Sequence, residues 1–202
     1  MISTTSKVAI STLEFSSSAP FYVIMEVYFF RGMNMKETVY FGTYTRRISQ
    51  GIYKAEFDTE TGQLANLELF AAEPSPTYLA FDQDQHLYTV GSHDGKGGVA
   101  AYKIDGSLLN HVVEEGAPHC YVAVDEKRSL VYGANYHKGQ VLVYKRKEDG
   151  SLELADIDQH TGHGPHENQA SSHVHYTNLT PDQYLVTCDL GTDEVTTYDV
   201  NS

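Results

Sequence analysis

Cysteine is scarce in this 202-residue chain: Cys120 and Cys188 are the only two. Two thiols so far apart build no disulfide framework, and no CxxC pair is present. They read as small buried hydrophobes in a reducing compartment, so the expected location is cytoplasmic. Cations are scarce too. There are 14 Lys and Arg against 27 Asp and Glu, for a net charge of −13. Such a chain repels polyphosphate, which excludes nucleic acid as a partner and argues against docking on anionic membrane. A small anionic ligand stays open, because a few local cations can override the global field. Long apolar runs are missing. The mostly apolar stretch "APFYVIMEVYFF", residues 19–30, falls short of the ~20 residues that span a bilayer. It also lacks the basic flank and small-residue cleavage site of a signal peptide. A sustained helical period is absent throughout.

Hydrophobic residues make up 41% of the chain, an ordinary share for a globular protein. Residues 1–18 are rich in Ser and Thr, and the apolar stretch follows. "MKETVYFGTYT" from Met35 then reads as a fresh start. Residues 1–34 are therefore expected to be a non-native or disordered N-terminal extension, and residues 35–202 the folded domain.

From Met35 onward, short β-branched and aromatic runs alternate with Gly, Asp and Asn. The runs recur. "YLAFD" at 78–82 resembles "YVAVD" at 121–125 and "YTNLT" at 176–180. "LYTVGS" at 87–92 parallels "VYGANY" at 131–136 and "YLVTCDL" at 184–190. "GVAAYKI" at 98–104 parallels "QVLVYKR" at 140–146 and "EVTTYDV" at 194–200. "DGSL" at 105–108 and at 149–152, and "TGQL" at 61–64, are hairpin turns by composition. Tyr102 and Tyr144 lie 42 positions apart, Tyr78 and Tyr121 43. Four antiparallel strands in ~40–45 residues is the period of a propeller blade. The predicted fold class is all-β, an incomplete β-propeller of about four blades, two of them partial. The first blade is expected to lack its innermost strand. Unpaired edges of such an arc invite association. The expected state is a monomer or weak homo-oligomer.

One segment breaks the period. "HTGHGPHENQASSHVH", from His160 to His175, holds five of the ten histidines. It inserts about a dozen residues into the connection between the outermost strand of one blade and the innermost strand of the next. Chain direction alternates within a blade, so this connection shares a face with the turns between second and third strands. His173 and His175 are two apart in a strand and should point to one side. The repeat does not require histidine there, since Ser75 and Thr77, and Pro118 and Cys120, hold the equivalent positions. His160, His163 and His166 read as solvated loop residues. The spacing matches no recognised zinc signature such as HExxH, and no metal is expected. On the same face stand Tyr44, Arg46 and Arg47; His93 and Lys96; Asn135, Tyr136, His137 and Lys138; and Asp189 and Asp193.

"TVYFGTYT", "GANYHKG", "SSHVHYTNLTPD" and "DLGTDEVTTYDV" together resemble the lactonase family of seven-bladed propellers, which includes bacterial 6-phosphogluconolactonases and fungal muconate-lactonizing enzymes. The resemblance covers Met35 to Ser202, which would make 35–202 the N-terminal half of such a propeller. It implies hydrolysis of 6-phosphoglucono-1,5-lactone to 6-phosphogluconate in the oxidative pentose phosphate route, with a sugar lactone as the small-molecule partner and no cofactor. It implies a site at the channel mouth with His175 as the match to the family's active-site histidine and His173 beside it. The chemistry is consistent: an imidazole can accept a proton from attacking water at neutral pH, and neutral donors can steady the oxyanion. Tyr44, Asn135, Tyr136, Asn168 and Asp189 are the candidate substrate-binding residues. Two departures stand out. "ENQASS" occupies the stretch where the family commonly carries charge, and the later blades that supply an Arg and a Glu lie beyond this chain. A cycloisomerase acting on muconate-type lactones, or a non-catalytic binding propeller, are the alternative readings.

Overall fold

The computed structural model describes residues 23–24 and 36–200, and no helix occurs among them. The expectation about residues 1–34 falls almost wholly outside the described residues. The chain divides into two compact units, Met1–Tyr78 and Leu79–Ser202.

The first unit holds one sheet of four strands in sequential order: β1 (Val23–Ile24), β2 (Lys36–Thr43), β3 (Gly51–Asp58) and β4 (Leu64–Ala72). The first blade was expected to begin without an inner strand. Instead the short β1 pairs antiparallel with β2, Val23 opposite Thr43 and Ile24 opposite Gly42. The physical reason is general: a bare strand edge offers a row of free N–H and C=O groups to any extended neighbour. Val39, Phe41 and Ala55 are buried together, with Tyr53, Phe57 and Leu64 against them.

The second unit holds three sheets. The first contains β5 (Leu79–Phe81), β6 (Leu87–His93), β7 (Lys96–Tyr102) and β8 (Leu108–Glu114). The next contains β9 (Tyr121–Asp125), β10 (Leu130–Asn135), β11 (Gln140–Arg146) and β12 (Leu152–Gln159). The last contains β13 (Val174–Leu179), β14 (Leu185–Asp189) and β15 (Glu194–Tyr198). Each is an antiparallel meander in chain order. The edge strands β5, β9 and β13 lie side by side, β9 against both others. This is the blade arrangement of a propeller, incomplete as expected.

Burial follows position in the blade. β6, β7 and β10 are covered on both faces, so Leu87, Tyr88, Val90, Val99, Val131 and Tyr132 are fully buried, whereas β15, at the edge of the last sheet, is largely exposed. The outermost β12 is exposed along nearly its whole length, which is why "LELADIDQ" reads as polar alternation rather than as a core strand.

Neighbouring blades of the second unit are joined by polar side chains. Arg146 at the end of β11 reaches Asp82 at 2.7 Å and Glu126 at 2.7 Å. Arg128 bonds Asp125, then extends to the carbonyls of Gln183 and Val200. Asn110 of β8 makes a two-way amide pairing with the backbone of Leu152.

Candidate active site

Tyr136 opens the turn between β10 and β11. Asn135 shapes that turn: its side-chain Oδ1 accepts from the Lys138 N–H at 3.1 Å. Three imidazoles surround the Tyr136 ring. His173 stacks on it, with centroids 4.3 Å apart and planes 10° from parallel. His137 and His175 meet it edge-on, at 5.4 Å and 6.0 Å. His173 and His175 therefore do share one side, but by a different route from simple alternation. His173 precedes β13, and the register slips between Val174 and Tyr176, which places His175 in a β-bulge.

The two histidines differ in how firmly they are held. His173 is half-buried, and its Nδ1 lies 3.0 Å from the carbonyl oxygen of Tyr136. A carbonyl only accepts, so Nδ1 carries the hydrogen and the basic nitrogen of the neutral ring is Nε2. Among the described residues nothing bonds Nε2. His175 is exposed, and no described hydrogen bond holds its ring.

Beneath this pair sits Asp189, at the end of β14. Its Oδ1 accepts from the backbone N–H of His173 at 2.6 Å and of Gly191 at 2.8 Å. Its Oδ2 accepts from the Ser172 hydroxyl and from His160 Nδ1, the latter at 3.1 Å. Burial disfavours the charged carboxylate, but the bonds from Ser172, His173, Gly191 and His160 outweigh it and hold the group below its ordinary range. His160, expected as a solvated loop residue, is thus anchored at both nitrogens: Nε2 lies 2.5 Å from the Tyr198 hydroxyl, which donates to Asp158 at 2.7 Å. His163 and His166 are exposed.

The remaining candidates are scattered in role. The Asn135 side chain is buried in its own turn. Asn168 is exposed on the long connection, and no described contact joins it to the imidazole pair. Tyr44 belongs to the first unit, 41% exposed, with the Arg46 guanidinium 5.1 Å from its ring centroid.

Sequence reasoning passed over Ser172, Tyr198 and Gly139. The last holds φ +64, and a Cβ there would meet Ser172 Oγ at 2.3 Å. A signal for Tyr198 existed, since it aligns with Tyr144 in the repeat. Tyr144 also takes a histidine, with His119 Nε2 2.5 Å from its hydroxyl. Among the described residues one group has the spacing of metal ligands, Asp82, Asp84 and His86. The Asp82 Oδ2 there already accepts from His86, Tyr88 and Arg146, and the guanidinium repels a further cation.

The comparisons agree with this architecture. The family model described as "Lactonase, 7-bladed beta-propeller" matches residues 38–202. A 6-phosphogluconolactonase of Bacillus subtilis is 46% identical over 167 residues, covering 79% of this chain and 48% of the relative. A crystal structure of a Lactobacillus plantarum protein superposes with a TM-score of 0.80 at 52% identity, covering 83% of this chain and 50% of that one. The periplasmic gluconolactonase of Pseudomonas aeruginosa superposes at 0.69 with 31% identity, covering 78% and 48%. The chain spans about half the length of these relatives. It belongs to the lactonase family of seven-bladed β-propellers.

Proposed function

We propose that this chain carries the imidazole-bearing part of a lactone-hydrolase site, and that its substrate is 6-phosphoglucono-1,5-lactone. The observation that supports the chemistry most directly is the His173 ring. It is stacked on Tyr136 and bonded through Nδ1, so Nε2 is aimed and basic. A general base needs that combination of fixed direction and free lone pair. His173 takes the proton of an attacking water as the water oxygen bonds the lactone carbonyl carbon. The tetrahedral oxyanion collapses, the bond to the ring oxygen breaks, and the imidazolium returns the proton to that oxygen. The product is the open-chain acid. His175, exposed beside the same tyrosine, and Tyr136 itself contact the sugar.

The choice of a phosphorylated sugar lactone rests on likeness to the Bacillus subtilis relative, whose name carries that activity. The proposed place in the oxidative pentose phosphate route rests on the same likeness; the proposed cytoplasmic location rests on the two free cysteines, Cys120 and Cys188.

The test is hydrolysis of freshly generated 6-phosphogluconolactone, followed by proton release against the buffer rate. Wild type should exceed buffer. His173→Gln should lower kcat by about 10²–10⁴, the usual range for loss of a general base. His175→Ala should act mainly on KM. A wild-type rate equal to buffer would leave the binding-module reading in its place, and equal kcat losses in both variants would reassign the base. Unchanged turnover after chelation would set aside a metal requirement.

A further inference from the structure

We propose that Asp189, with His160 seated on it, is a positioning residue for the imidazole pair and acts through the backbone of His173. The inference rests on the lactone-hydrolysis reading of that site, and it assigns Asp189 a role other than contact with substrate.

The connection that carries the histidines leaves β12 after Gln159 and enters the next sheet at Val174. Its first residue is His160; its last two are Ser172 and His173. All three bond the same carboxylate. Asp189 therefore gathers the two ends of a long loop at one point. The residues between them, 161–171, are mostly exposed, and Gln169 alone of their side chains reaches the β14–β15 turn in the described bonds, donating to the Leu190 carbonyl at 2.9 Å and to Asp193 at 2.6 Å. The equivalent connections, residues 73–78 and 115–120, are shorter, and the Asn135 amide, which matches Asp189 in the repeat, donates to the second of them at the Ala117 carbonyl, 3.5 Å away.

Four donors exhaust the acceptor sites of one carboxylate, so no lone pair remains for a sugar hydroxyl. The side chain is also fully covered. What Asp189 can do is fix the His173 N–H, and with it the start of β13. The His173 ring then meets the Tyr136 carbonyl and the Tyr136 face at the observed angle. His160 extends the grip: through Tyr198 it ties the same carboxylate to β15, and its own N–H donates to the Gly139 carbonyl at 2.9 Å. The turn that bears Tyr136 and the strand that bears the histidines are thereby held to one reference point.

The test uses the full chain and three variants: Asp189→Asn, His160→Phe, and a chain with residues 161–167 replaced by a Gly/Ser linker of equal length. Two readouts are taken. Imidazole C–H resonances report the stack, because the Tyr136 ring shifts the His173 protons upfield. Steady-state lactone hydrolysis reports the chemistry. Asp189→Asn should abolish the upfield shift and lower kcat by about 10²-fold while KM changes little, the size expected when a reacting group is displaced by about an ångström. His160→Phe should do the same in smaller degree. The linker variant should retain both shift and kcat.

The proposal is overturned if folded Asp189→Asn keeps the wild-type His173 resonances, or if the linker variant loses them as completely. Should Asp189→Asn not fold, His160→Phe and Ser172→Ala carry the test, and unchanged His173 resonances in both sink it. A wild-type hydrolysis rate equal to buffer removes the lactonase reading alone, since the resonance arm decides positioning without turnover.

Discussion

His119 shows how a single residue sets pH behaviour away from the site. Its ring is buried at the entrance to β9, Nε2 faces the Tyr144 hydroxyl, and Nδ1 has no partner among the described residues. Burial, with a lesser push from Lys138, drives its pKa down to about 3. The unfolded chain, with an ordinary imidazole near ~6.5, binds a proton that the folded chain refuses. Stability from this group is therefore whole above about pH 6.5 and falls as the pH drops toward about 3, by at most ~1.4 kcal/mol per pH unit. His119→Phe should flatten that slope. Urea midpoints at pH 7.5 and 5.5 check it: the gap between them should narrow in the variant, and an unchanged gap would remove His119 from the acid response. Cys120, beside it, is pushed up to about 11 by burial, so its thiol should resist alkylation at neutral pH as long as the fold is intact. At this scale the sequence was only half legible. His173 and His175 were visible because the repeat has no need of them. His160 was not, because its partners Asp189 and Tyr198 lie 29 and 38 positions away and only the sheet brings them close.

Elements were more legible than residues. β9 and β11 coincide with the runs "YVAVD" and "QVLVYKR", because two-sided burial writes itself as continuous apolar sequence. β1 was missed, since two residues within an apolar stretch carry no alternation to read. The bulge at His175 was missed for a related reason: a register slip leaves the composition of a strand unchanged. The turn after β10 depends on Gly139. Its left-handed backbone and its approach to Ser172 both disfavour a side chain. Gly139→Ala should cost about 1–3 kcal/mol, the range for a strained backbone position, and should loosen the Ser172 bond to Asp189. Chemical denaturation gives the first; the His173 resonances give the second. A fully wild-type variant in both would mean the turn has room that the atomic distances deny.

For the second unit as a whole, the ties between blades matter more than any one blade. Arg146 is the central one, nearly covered and shared between Asp82 and Glu126. Backbone and side-chain bonds from His86, and the bond from Arg146, hold Asp82 below its ordinary range against the opposing effect of burial. A depressed carboxylate stabilises the fold above its unfolded value near ~3.9 and ceases to as pH falls through its folded one. Arg146→Met leaves Asp82 buried with less compensation. It should lower stability by about 3 kcal/mol, in the range for breaking one side of a buried pair, and raise the pH of acid unfolding. An acid midpoint equal to wild type would show that His86 and Tyr88 suffice. The period of the repeat disclosed the blades, but these ties were illegible, because each runs between residues whose neighbourhood exists only after the sheets stack. The gathering of both ends of the 160–173 connection on Asp189 has a consequence for the molecule's history. A segment fastened at its neck is a cassette: its interior can be exchanged, lengthened or recharged to suit a new ligand while the imidazoles keep their station.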